Sequence, residues 1–211
     1  MPHFRTDVLR EIGGWDPYNV TEDADLGMRL ARFQYHTAVV DSTTLEEAPA
    51  EFRHWLPQRT RWFKGWMQTW AVHMREPIRL LRELRWTGFA TFQLVVGGTV
   101  LAALVHPIFL AALAYGLARE GMFSLVGLYG GALVAGYLTS ALLGLAGLAR
   151  RGLLSQSFIL ILTPLHWLLL SLAAWRALFQ LLRDPYRWEK TAHGLARTSR
   201  VADQAAADRK N

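Results

Sequence analysis

The 211-residue chain contains no cysteine, which excludes a disulfide framework and any thiolate chemistry. Charge is missing from three long stretches: no Asp, Glu, Lys or Arg occurs in residues 88–118, 121–149 or 152–175. About 20 apolar residues suffice to cross the hydrocarbon core of a bilayer, so each stretch is long enough. A soluble core helix is rarely this long and this free of charge, and the chain reads as an integral membrane protein. Residues 1–15 lack the apolar segment of a signal peptide. With the first apolar stretch so late, residues 1–87 are expected to stay on the cytoplasmic side. No internal repeat or low-complexity segment occurs, and the Ala-rich, charged residues 201–211 read as disordered or as a frayed helix.

What is present is basic, with a net charge of +6 and a pI near 10.1. Lys and Arg lie mostly beside the apolar runs and from Arg183 onward, where a membrane protein places its cytoplasmic positive charge. A nucleic-acid partner is therefore not expected; the partner implied by this pattern is the lipid bilayer.

Residues 1–54 read as a mixed α/β segment. Residues 4–12 predict a short helix that Gly13 and Gly14 stop, since both allow positive φ. Trp15, Asp16, Pro17, Tyr18 and Asn19 are turn chemistry. A second helix starts at Thr21 as N-cap, with Glu22 and Asp23 in its first turn, where the helix dipole favours negative charge. Leu26, Leu30 and Phe33 give it an apolar face, and Asp25 with Arg29 forms an i,i+4 pair. Residues 37–41 are a strand candidate. A third helix over 55–76 has Pro57 in its opening turn and sets Trp55, Trp62, Trp66 and Trp70 among Arg59, Arg61 and Lys64. At about 100° per residue, Gln58, Trp62, Trp66, Thr69 and His73 share one face, with Arg61 and Gly65 at its edge. Such a helix suits a membrane interface, anchored by Trp and snorkelling Arg. His106 and His166 lie inside apolar stretches beside Pro or Trp. Intramembrane ionisable groups are functional suspects, but a neutral His bonded to a freed backbone carbonyl is the expected state here.

Four blocks carry chemistry when read together: Gly13, Gly14, Trp15 and Asp16; Thr21, Glu22, Asp23, Ala24 and Asp25; Gln58, Arg59, Thr60, Arg61 and Trp62; and the run from Trp188 through Glu189, Lys190, Thr191, Ala192 and His193 to Gly194. Their order and spacing resemble the membrane-bound family 2 glycosyltransferases of the cellulose synthase and poly-N-acetylglucosamine synthase type. The resemblance runs from about residue 3 to 194 and covers the C-terminal portion of such an enzyme. A Thr-Glu-Asp triplet alone is a weak signal. Followed some 35 residues later by Gln-Arg-x-Arg-Trp and then by apolar spans, it is a strong one. The resemblance implies that Asp23, flanked by Thr21 and Glu22, is the base that takes the acceptor hydroxyl proton. It implies that Trp62 is a flat platform for the terminal acceptor sugar, and that Gln58, Arg59 and Arg61 serve the acceptor and the donor diphosphate. Spacing leaves open which arginine meets the diphosphate. Trp188, Lys190, Thr191 and His193 are similar in type and place to a gating loop that folds over the nucleotide, although their local sequence departs from that of cellulose synthase.

The family's metal-binding Asp-x-Asp follows a buried strand, whereas Asp23, Ala24 and Asp25 follow a turn and open a helix, so that triplet is not expected to hold metal. Mg²⁺ or Mn²⁺ is implied by the resemblance, with its ligands and the nucleotide-binding strands outside this chain. The implied fold is thus a partial GT-A α/β catalytic segment over 1–54, then interfacial amphipathic helices over 55–87. A membrane-embedded helical region over 88–182 and a cytoplasmic loop and tail over 183–211 complete it. Two crossings, near 100–118 and 122–148, would return the 188–194 loop to the cytoplasm, with Arg150 and Arg151 inside as the positive-inside rule prefers. Residues 153–182, broken at Pro164, would then be interfacial or re-entrant; three crossings are the alternative. The expected activity is inverting, processive sugar transfer from a nucleotide sugar, a UDP-sugar, to a growing glycan at the plasma (inner) membrane, incomplete in this chain alone. The rival readings are an inactive remnant, a subunit that needs a separate nucleotide-binding chain, and a small transport or scaffold protein.

Overall fold

The computed structural model describes residues 3–40, 49, 51–125 and 127–185. Among the described residues seven α-helices follow one another: α1 (Thr6–Glu11), α2 (Glu22–Arg32), α3 (Phe52–His73), α4 (Pro77–Phe92), α5 (Gly98–Glu120), α6 (Leu128–Arg150) and α7 (Thr163–Arg183). A π-helical turn (Gln93–Gly97) joins α4 to α5, and 3₁₀ segments (Gly121–Leu125 and Leu154–Leu162) precede α6 and α7. The chain divides into two compact units, one of residues up to Gly97 with those from Ala177 on, the other Gly98–Arg176.

The first unit corrects the expected α/β segment, because no strand occurs among the described residues. Residues 37–40 have no regular structure, and Val39 is 98% and Val40 78% exposed. A strand's backbone groups are satisfied only by a neighbouring strand, and none is present to pair with. Helices supply the core instead: Ile12, Leu26 and Leu30 are buried together, with Phe4, Val8, Leu9 and Tyr35 packed around them. Helix α1 ends in a Schellman arrangement, Gly13 N–H reaching the Arg10 carbonyl and Gly14 N–H the Leu9 carbonyl, with φ of +86° and +69° at the two glycines. Helix α2 ends the same way, but its left-handed residue is Gln34 (φ +63°). Its side-chain amide donates to the Glu83 carbonyl of α4, which offsets part of the strain. Helix α3 begins three residues earlier than expected, so Pro57 falls in its second turn. Helix α4 starts with Pro77 at its first position and breaks at Arg85, where φ is +59°.

In the second unit, α5, α6 and α7 point most of their apolar side chains outward; Leu101, Ile108, Leu138, Leu142, Leu143 and Leu172 are all exposed. Three helical segments, Pro77–Phe123, Leu128–Arg150 and Leu154–Arg183, are long and apolar enough to cross a membrane, in line with the three charge-free stretches of the sequence. Pro164 does not break the third. It is the second residue of α7, where a missing N–H costs no helical hydrogen bond.

His106 does not bond a freed carbonyl, as its neighbourhood to Pro107 suggested. It is buried between helices: Nε2 lies 2.7 Å from the Tyr137 hydroxyl of α6 and Nδ1 3.3 Å from Ser171 Oγ of α7. Ser171 spends its one proton on the Trp167 carbonyl (2.9 Å). Its Oγ therefore accepts from His106 Nδ1–H, and Nε2 accepts from Tyr137. Trp167 lies edge-on to His106 with ring centroids 5.5 Å apart. Pro107 deprives the Ala103 carbonyl of its helical donor, and Trp175 Nε1 donates to the neighbouring carbonyl, that of Leu104, at 3.1 Å.

Tyr137→Phe leaves His106 Nε2 without a donor. It is expected to destabilise the protein by about 0.6–1.7 kcal/mol in a detergent unfolding titration. Leu138→Ala, on the exposed side of the same helix, should stay within roughly 0.5 kcal/mol of the parent.

Candidate functional site

The candidate site is built where the first turn of α2 meets the middle of α3. Asn19 fixes the approach with both ends of its amide. Its Nδ2 donates to Thr69 Oγ1 (2.9 Å), and its Oδ1 accepts the Thr21 backbone N–H (2.9 Å). Beside it, Val20 N–H donates to Gln68 Oε1 (3.3 Å), while Gln68 Nε2 donates to the Pro185 carbonyl (3.0 Å). Thr21 sits at the N-cap position, but its side chain does not cap the helix. It turns toward α3, so close that a Cβ at Gly65 would stand 1.9 Å from Thr21 Oγ1. Only glycine permits that approach.

Gln58, Arg61, Gly65 and Gln68 are spaced three, four and three residues apart, which places them on one stripe of α3. Gly65 and Gln68 on that stripe touch the start of α2. Arg61 and Gln58 therefore continue it by one and two turns beyond Thr21, both half-buried. The face expected from sequence splits along its length. Thr69 and His73 are buried in contacts with α2, whereas Trp62 is 39% exposed.

The two aspartates of α2 have different surroundings. Asp23 is exposed, and its Oδ1 accepts the Ala24 N–H (2.9 Å) within the first turn. Asp25 is buried and fully paired, with Arg29 Nε at 2.8 Å and His73 Nε2 at 3.1 Å. Arg32 NH1 lies 3.0 Å from His73 Nδ1. A guanidinium only donates, so the His73 proton is on Nε2 and points at Asp25. Arg32 also pairs with Glu83 of α4, and Arg29 NH1 donates to the Ile12 carbonyl (2.8 Å). Burial alone would raise the Asp25 pKa, but the His73 hydrogen bond and the Arg29 charge outweigh it and hold the carboxyl below its ordinary value.

Residues two apart on a helix do not face one another, so Asp23 and Asp25 cannot clasp one ion together. Among the described residues no group of three or more His, Cys, Asp or Glu is placed to hold a metal. The described residues therefore offer no donor set that fits Mg²⁺ or Mn²⁺. Glu22 instead faces an open pocket of about 320 Å³ with Trp15, Asp16, Pro17 and Asn19. The Arg59 guanidinium lies over the Trp62 ring, 4.2 Å from its centroid, and 5.7 Å from the centroid of Trp55. Trp188, Lys190, Thr191 and His193 lie outside the described residues.

Asn19, Gln68 and Thr69, and the chain from Asp25 through His73 and Arg32 to Glu83, were not singled out from sequence as a site. Gly65 carried the one usable signal. A glycine inside a helix of bulky residues costs about 1 kcal/mol relative to Ala unless a neighbour needs the space.

The profile of the family described as Glycosyl transferase family group 2 matches residues 2–183. Over 62 residues the chain is 34% identical to the "Probable glycosyltransferase YdaM" of Bacillus subtilis (strain 168). That alignment spans 29% of this chain and 15% of that relative. No solved structure matches.

Gly65→Ala is expected to push α2 off α3 at a cost of roughly 1–3 kcal/mol, read as faster proteolysis between α2 and α3. Adding Thr21→Gly, which removes the clashing atoms, should restore protection. A carboxyl held below its unfolded pKa stabilises the fold fully above about pH 4, and that contribution is lost as pH falls through its folded value. Tryptophan emission should therefore hold steady from neutral pH to about pH 5 and change below about pH 4. Asp25→Asn should weaken the fold at neutral pH and flatten that acid limb.

Proposed function

The chain belongs to glycosyl transferase family group 2, and on that premise we propose that it supplies the acceptor side of an inverting, processive sugar transfer at a membrane. The donor in this reading is a nucleotide sugar, a UDP-sugar, and the acceptor is the end of a growing glycan. Asp23 takes the proton of the acceptor hydroxyl as that oxygen attacks the anomeric carbon. The bond from the anomeric carbon to the phosphate oxygen breaks, the nucleoside diphosphate leaves, and the configuration at that carbon inverts.

The observation that carries the reading is the seating of Thr21 against Gly65. It sets Thr21, the residue just before Glu22 and Asp23, one turn of α3 from the position of Arg61. A carboxylate base and a fixed cation borne on two helices that dock on each other suit a reaction in which a hydroxyl loses a proton while a diphosphate gathers charge. Exposure of Asp23 leaves its carboxylate open to a substrate, whereas Asp25, locked to Arg29 and His73, has no such freedom. In this reading Arg61 and Gln58 face the donor diphosphate and Trp62 offers an indole face to the acceptor ring. Three helices long and apolar enough to span a bilayer follow the site in the same chain, which supports action on a glycan held at a membrane; in this reading that is the plasma membrane, with the site on its cytoplasmic side. The aligned stretch spans 15% of its curated relative, so the activity of the whole protein is part of this proposal, including the donor-holding residues that the described ones do not supply.

Asp23→Asn in the complete membrane-embedded protein tests it. Transfer of labelled sugar from a panel of UDP-sugars to glycan should fall by about 10²- to 10⁴-fold at unchanged membrane yield. Transfer at the parental rate would remove Asp23 from the mechanism.

A further inference from the structure

The two arginines of the Gln58–Trp62 segment have different environments. Arg61 lies on the stripe that faces α2. Arg59 belongs to another row, in which Phe52, Trp55, Arg59 and Trp62 follow at intervals of three, four and three residues. The row is stacked along its whole length. The Phe52 and Trp55 rings lie 6.1 Å apart at an interplanar angle of 20°. The Arg59 guanidinium is 5.7 Å from the Trp55 ring and 4.2 Å from that of Trp62. Arg59 Nε is buried without a hydrogen-bond partner. The guanidinium is thus spent on aromatic faces, and burial lowers its pKa from the ordinary value.

An indole has two faces. Arg59 covers one face of Trp62, and the ring nevertheless keeps 39% of its surface exposed. An unbraced tryptophan on an exposed helix face turns among its rotamers, which a sugar platform cannot do without losing affinity to the entropy of ordering it. We propose that Arg59 is a positioning residue: wedged between Trp55 and Trp62, it holds the Trp62 indole in one orientation so that the opposite face is ready for a pyranose ring. This rests on Trp62 being the acceptor platform of the proposed function, and it assigns the anion-binding role to Arg61 alone. It also gives Trp55 and Phe52 a purpose beyond anchoring, as the base on which Arg59 is stacked.

The test labels the complete protein with 5-fluorotryptophan and follows the Trp62 ¹⁹F resonance, identified by its loss in Trp62→Phe. Arg59→Met keeps the aliphatic stem and removes the planar cation; Arg59→Lys keeps charge without the plane. The Trp62 resonance should shift and broaden in Arg59→Met and change less in Arg59→Lys. Transfer from the UDP-sugar should fall roughly 2- to 30-fold in Arg59→Met, the range set by a cation–π contact, with the apparent KM for that UDP-sugar unchanged. A Trp62 resonance that does not move overturns the proposal. So does a rise in donor KM that Arg59→Lys rescues, because that pattern belongs to a diphosphate ligand. The resonance needs no turnover, so a protein in which Asp23→Asn costs nothing would defeat the proposed function and leave the brace standing. An inert Trp62→Ala with a mobile resonance in Arg59→Met would show a brace on a ring that binds no acceptor, and would overturn the assignment of its purpose.

Discussion

Helix α2 can carry its carboxylates to one place only because α3 has no side chain at Gly65 where Thr21 comes to rest. The contact is steric, and the hydrogen bonds around it convert closeness into register. Asn19 ties Thr69 on one side and the Thr21 backbone on the other, so the chain enters α2 at a fixed height and rotation. From that entry the rest of the first unit follows. Leu26 and Leu30 turn inward to Ile12, Asp25 meets His73, and Arg32 reaches Glu83. A bulkier residue at position 65 would disturb all of these at once, although it touches none of them directly.

The buried charges along α2 act in a different way. Desolvating a carboxylate is expensive unless its partners are well placed, and Asp25 has two. His73, presenting N–H to Asp25 and a lone pair to Arg32, lets one ring serve an anion and a cation together. The arrangement joins α2, α3 and α4 through polar contacts whose geometry has little slack. It selects one docking of these helices over the looser ones that an apolar contact alone would permit. In the second unit the His106 ring performs a similar service between hydroxyls of α6 and α7.

Much of the helical content was legible in the sequence. The apolar stretches, the glycine stop after α1 and the acidic start of α2 all reflect local rules, and local rules are what a single sequence exposes. The strand expected at 37–41 was misread, since a strand depends on partners that no window of residues displays, and residues 37–40 form none. Pro164 misled for a related reason: its effect depends on whether it falls at the start or in the middle of a helix, and only the fold fixes that. The docking of Asn19 on Thr69 joins positions 50 apart, and nothing in either neighbourhood announces the other. Of the residues with proposed roles, Asp23, Gln58, Arg59, Arg61 and Trp62 were legible as a motif. Their division into an inner stripe and an outer aromatic row was not, because Arg59 and Arg61 differ by two positions in sequence and by about half a turn in space.

The Asn19 clasp also constrains the gene in a way that composition does not reveal. Each residue added to a helix turns everything beyond it by about 100°. Between the clasp and the buried Asp25 lie five residues, from Val20 to Ala24, and their number fixes which carboxylate looks outward and which is swallowed by His73 and Arg29. A substitution within that stretch alters a side chain; an in-frame insertion or deletion of a single codon swings every later side chain by more than a quarter turn, enough to carry Asp25 away from His73. The segment from Asn19 to Asp25 is therefore a place where length, more than identity, is under constraint, and gaps should be far rarer there than changes of letter.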